Sequence, residues 1–172
     1  AGQELEGKMR AAYSSSALAV NCFGRWASDP SSLTICGQTG FSKLQFEAKC
    51  PTGVGRMPPH LDLVLTGPDG VLAIESKCTE YMNSHKAKFA DAYVDNITDH
   101  RTKTGWYAEM LTLREQPDKY RFLDAAQLIK HYFGLAHTYP ETPITLIYLF
   151  WEPANGGDFN DIKKHRAEIN IF

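Results

Sequence analysis

Most features that would point straight to a function are missing from this sequence. Its four cysteines, Cys22, Cys36, Cys50 and Cys78, form no C-x-x-C pair and join no histidine at zinc spacing, which excludes zinc ribbons and thioredoxin-like redox motifs. The six histidines contain no His-x-x-x-His or comparable ligand pair. No signal peptide and no apolar run long enough to span a bilayer occur, so no membrane partner is expected. Four free thiols make a cytoplasmic protein the expectation. Charge of one sign is lacking as well: 18 Lys and Arg stand against 20 Asp and Glu, a net of −2, which is not the balance of a general nucleic-acid coat protein. No internal repeat or low-complexity segment stands out.

What is present is a globular composition. The chain has 172 residues, 43% of them hydrophobic and 12% aromatic, enough for a single domain over residues 1–172 with a real core. The most informative stretch is residues 60–77, HLDLVLTGPDGVLAIESK. Gly67-Pro68-Asp69-Gly70 is a strong turn signal between two alternating apolar runs, so the stretch reads as a hairpin. Strand alternation puts His60, Asp62 and Val64 on one face, and Val71, Ala73, Glu75 and Lys77 on one face of the next strand. Two carboxylates and an ammonium then converge at one end of an apolar hairpin. Like charges so placed repel, and a divalent cation would relieve them. Two carboxylates, a backbone carbonyl and several waters suit Mg²⁺. The bland alternative, a surface hairpin with solvated charges, fits poorly with the apolar surroundings of Glu75.

Asp62, followed thirteen positions later by Glu75-Ser76-Lys77, resembles the signature of the PD-(D/E)XK nuclease superfamily: an Asp, a variable gap, then (Asp/Glu)-x-Lys. The literal Pro-Asp pair is replaced here by Pro58-Pro59-His60-Leu61-Asp62. The resemblance implies an α/β fold, a restriction-endonuclease-like α/β/α sandwich with a central mixed sheet. It also implies Mg²⁺-dependent hydrolysis of phosphodiester bonds, with Mn²⁺ expected to substitute, DNA as partner, and endonuclease favoured over exonuclease action. On this resemblance Asp62 and Glu75 hold the metal with the Ser76 carbonyl, while Lys77 orients or deprotonates the attacking water. A restriction-like role would favour a homodimer with two sites facing opposite strands. The alternative is a catalytically inactive nucleic-acid-binding or structural module on the same fold.

A second resemblance lies downstream. Residues 123–137 (LDAAQLIKHYFGLAH) read as an amphipathic helix, with Leu128, Tyr132 and Leu135 at helical spacing and Ala125, Ile129 and Phe133 widening the stripe. RecB-like nucleases carry a Gln-x-x-x-Tyr pair on such a helix, and the sequence resembles it with Gln127 followed by His131 at the Tyr position and Tyr132 one further on. That puts Gln127 among the catalytic residues, holding Lys77, the water or the phosphate. Otherwise Gln127 and His131 simply flank a core helix. Glu47, in the alternating segment 41–49, is a further metal or water ligand if that segment is the strand before Asp62. Superfamily members also take an acid from their first helix, here Glu4 or Glu6.

The rest of the chain reads as follows. Residues 3–26 look helical, with serines at 14, 15 and 16, and Asp29-Pro30 ends them. Residues 33–35 and 41–49 look strand-like, and residues 51–59 form a loop. Residues 85–138 are mostly helical, interrupted near 98–104 and at Pro117. Residues 143–151 (PITLIYLFW) suggest a strand buried on both faces, and 158–169 a final helix capped by Asp158. Lys43, Lys49, Arg56, Lys86, Lys88, Arg101 and Lys103 are candidates for a local phosphate-neutralising patch, and Trp106-Tyr107 could stack on a base or pack.

Overall fold

The computed structural model describes residues 11, 13–54, 57–97 and 103–172. These fall into two compact units. One holds the described residues up to Lys49 together with His60–Cys78 and Glu141–Trp151, and the other holds those of Cys50–Pro59, Thr79–Pro140 and Glu152–Phe172. The helices and the mixed sheet make this an α/β protein, as the sequence predicts.

The first unit is built on four strands, β1 (Lys43–Lys49), β2 (His60–Gly67), β3 (Gly70–Lys77) and β4 (Ile144–Phe150), in the order β1-β2-β3-β4. β1, β2 and β3 run antiparallel in turn and β4 joins β3 in parallel. The hairpin predicted from Gly67-Pro68-Asp69-Gly70 is present: Gly67 pairs with Gly70 across a two-residue turn. Gly70 is obligatory there. Its φ is +126°, and a Cβ would stand 2.4 Å from the Pro143 carbonyl. That carbonyl accepts the Val71 N–H at 2.9 Å, so the close approach is also where β4 docks.

Alternation along the strands delivers Leu63 and Leu65 of β2 and Leu72 and Ile74 of β3 to one buried cluster with Phe23, Leu33 and Phe41. Phe46, Ile147 and Leu149 extend it across β1 and β4. Full burial of each such side chain contributes roughly 1.5–3 kcal/mol. A helix, α1 (Ser15–Phe23), packs on β2 and β3 within this unit and supplies Phe23.

Several sequence expectations change here. Ser14 is the N-cap of α1, its side chain accepting the Ala17 N–H at 3.2 Å, so the serines begin this helix instead of lying within a longer one. Residues 3–10, with Glu4 and Glu6, lie outside the described residues. Residues 33–35 form no strand beyond the isolated bridge Ile35↔Gln38. All seven residues of β4 are half-buried, not buried on both faces, because β4 is an edge of the sheet.

The second unit is helical: α2 (Ala92–Asp95), α3 (Gly105–Glu115), α4 (Ala125–Thr138) and α5 (Asn160–Ile171). α4 is the amphipathic helix predicted over 123–137. The Asp124 side chain caps it on the Gln127 N–H at 2.9 Å, and Leu128, Ile129, Phe133 and Leu135 are buried. Gly134 lets α4 approach the loop at Cys50, where a Cβ would lie 2.2 Å from the carbonyl oxygen. α5 starts later than predicted: Asp158 closes a short 3₁₀ turn and the extended Phe159 stands at the helix entry. All four cysteines are free thiols. Among the described residues no helix is long and apolar enough to cross a membrane.

Candidate active site

The β2–β3 ladder runs from Gly67↔Gly70 to Leu63↔Ile74 and stops one residue short of Asp62 and Glu75. Beyond that point β2 stays with β1 as far as Lys49↔His60, while β3 stays with β4 as far as Lys77↔Phe150. The sheet thus opens between its two middle strands where both acids sit.

Asp62 occupies the opening. Its Oδ2 accepts the Ser76 backbone N–H at 2.7 Å and the Ser76 hydroxyl at 2.7 Å. A backbone donor that has run out of ladder is satisfied by a side-chain carboxylate. Glu75 is 3% exposed, and Lys77 Nζ donates to its Oε1 at 2.7 Å. Burial of a carboxylate is tolerable because this cation lies on the same strand face two residues away. Of the three groups expected to converge, Glu75 and Lys77 are in direct contact, while Asp62 is hydrogen-bonded to Ser76.

Glu47 lies directly opposite Asp62 in the β1–β2 register, between the pairs Phe46↔Leu63 and Ala48↔Leu61. Its φ is +50°, a left-handed backbone in the middle of a strand, and its Oε1 accepts the Ser16 hydroxyl at 2.9 Å. Non-glycine residues hold such a conformation at a cost of roughly 1–3 kcal/mol, and such strain clusters at functional sites. His60, on the strand end, is exposed.

Gln127 lies on α4 in the other unit, half-buried near the helix start. His131, at the position of the expected tyrosine, is 2% exposed, and Tyr132 stacks on Trp106 with centroids 4.7 Å apart at 10°. Trp106 is thus packed against an aromatic partner. Lys43, Lys49, Lys86, Lys88 and Lys103 are exposed, with Lys86 paired to Asp118 at 2.9 Å, while Arg56 and Arg101 lie outside the described residues.

An opened sheet edged by two acids and a lysine gives the comparison with known proteins its context. The family described as Restriction Endonuclease associating with ARP matches residues 1–170. The chain belongs to this restriction endonuclease family. No curated protein and no solved structure shows a significant match.

Whether the site of this restriction endonuclease family member suits a metal can be judged from its donors. Among the described residues no three His, Cys, Asp or Glu side chains gather into one metal-holding group. Asp62 and Glu75 offer hard oxygen ligands, and Mg²⁺ takes one or two carboxylates while keeping several waters. A two-acid opening fits that ion. It does not fit the closed four-ligand cage of a structural zinc.

Sequence reasoning missed the roles of Ser15, Ser16 and the Ser76 hydroxyl. The Ser76 hydroxyl also lies 2.9 Å from the Ser15 carbonyl, so the first turn of α1 reaches both Ser76 and Glu47. The run of three serines was the available signal, but nothing local says which strand each one meets.

Proposed function

We propose that this protein is a PD-(D/E)XK-type, Mg²⁺-dependent deoxyribonuclease that cuts DNA internally. The observation carrying this reading is the opening between β2 and β3, with Asp62 and Glu75 at its edges and Lys77 on Glu75 at 2.7 Å. Membership of a restriction endonuclease family supports DNA as the substrate.

Asp62 and Glu75 would hold Mg²⁺, with the Ser76 carbonyl and waters completing its shell; Mn²⁺ would substitute. When bound, the ion lowers the pKa of a coordinated water and offsets charge on the scissile phosphate. Lys77 orients the attacking water and counters the negative charge that develops on the phosphate. Glu47, across the ladder from Asp62, is proposed as a further water or metal ligand. A homodimer would let two sites address opposite strands.

Cleavage of supercoiled plasmid and of an end-labelled linear duplex, in Mg²⁺, Mn²⁺ or EDTA, tests the proposal beside Glu75→Ala. The expected result is nicked and linear plasmid with either metal, none in EDTA and none from the variant. Progressive shortening of the labelled end would replace endonuclease by exonuclease action. Folded protein that binds duplex but cuts none of the substrates in either metal would favour a binding module.

A further inference from the structure

Ser76 stands at the variable position between the acid and the lysine of the motif, yet it is 0% exposed and is the residue most closely tied to Asp62. Its N–H and its hydroxyl both reach Oδ2, each at 2.7 Å. Two donors on one oxygen fix both the position of a carboxylate and its rotation about the terminal bond. The other oxygen is then the one available to a ligand. The hydroxyl has a single proton and a second acceptor nearby, the Ser15 carbonyl at 2.9 Å. The nearer, charged oxygen of Asp62 is the stronger acceptor. A carbonyl inside a helix already receives the N–H four residues on, so the Ser15 oxygen does not depend on Ser76.

We propose that Ser76 is a positioning residue for Asp62, its hydroxyl clamping Oδ2 so that Oδ1 is presented to the divalent cation. This rests on the metal-dependent reading above. It assigns to the Ser76 side chain a role distinct from that of its carbonyl. Residues that orient a metal ligand through one hydrogen bond typically change metal affinity by about 10–100-fold when removed.

The test is Mn²⁺ binding by isothermal calorimetry to the wild-type protein, Ser76→Ala, Ser76→Cys and Asp62→Ala, with Tm recorded in EDTA. Ser76→Ala is expected to bind Mn²⁺ about tenfold or more weakly. The metal concentration for half-maximal cleavage should rise by the same factor, with Tm in EDTA close to wild type. Ser76→Cys, whose thiol is a weak donor, should fall between the two. If Ser76→Ala does not fold, the cysteine variant decides. Binding lost in Asp62→Ala but unchanged in both Ser76 variants overturns the positioning role alone. Wild-type protein that binds no Mn²⁺, or binds it equally well without Asp62, overturns the metal-dependent reading and this inference with it.

Discussion

Lys77 Nζ and Glu75 Oε1 are 2.7 Å apart, an ion pair between two residues on the same face of one strand with side chains 13% and 4% exposed. Cutting one member from such a pair leaves its partner a poorly solvated charge. Lys77→Ala should therefore lose about 3 kcal/mol in urea unfolding and at least ~100-fold in cleavage rate. Mg²⁺ should raise the Tm of the variant more than that of the wild type, because the cation takes over the neutralising role. A variant as stable as the wild type would mean that the pair is not formed in solution.

Glu47 combines a left-handed φ of +50° with a mid-strand position. In an ordinary strand, glycine is worse than alanine. Here the order should reverse. Glu47→Gly relieves the backbone while Glu47→Ala keeps the strain, and both lose the Ser16 contact, so the glycine variant should be more stable by about 1 kcal/mol. Paired urea titrations of the two variants check this.

His165 is fully buried with its ring stacked on Tyr81 at 4.1 Å. Burial pushes its pKa down from 6.5 to about 4. The unfolded chain then binds a proton that the folded chain refuses, so the stability from neutral His165 is fully present above pH 6.5. It is lost as pH falls toward 4, by about 3 kcal/mol in all. Urea midpoints measured between pH 7.5 and 4 should show this slope, and His165→Phe should flatten it.

Glu168 on α5 accepts three consecutive backbone N–H groups, from Arg121 at 3.0 Å and from Phe122 and Leu123 at 2.8 Å each. These donors precede α4 and lie outside any ladder. Glu168→Ala should cost about 2 kcal/mol, with Glu168→Gln losing less because one carbonyl oxygen remains. Thermal unfolding of the two variants distinguishes them.

Much of the architecture was legible because its signals are local. The period-2 pattern around Gly67-Pro68-Asp69-Gly70 specified a hairpin with Leu63, Leu65, Leu72 and Ile74 on one face, and those residues form the core cluster. The 3.6 period of residues 123–137 identified α4, within two residues at its start and one at its end. Periodicity misled where burial depends on neighbours: the apolar run of β4 looks like an interior strand but occupies an edge. It also failed at helix starts, since Ser14 and Asp158 are equally good capping residues and only Ser14 caps.

By itself, the sequence determined the acid and lysine identities, the strand faces that carry them and the turn that brings the strands back. These follow from steric preferences and alternation acting over a few residues. Only the tertiary structure decided that β2 and β3 part at Asp62 and Glu75, that Glu47 takes a left-handed backbone and meets Ser16, 31 residues away in the chain, and that Ser76 holds Asp62. A hydrogen bond between residues so far apart in the chain depends on how whole strands and helices pack, and no local pattern of residues encodes that.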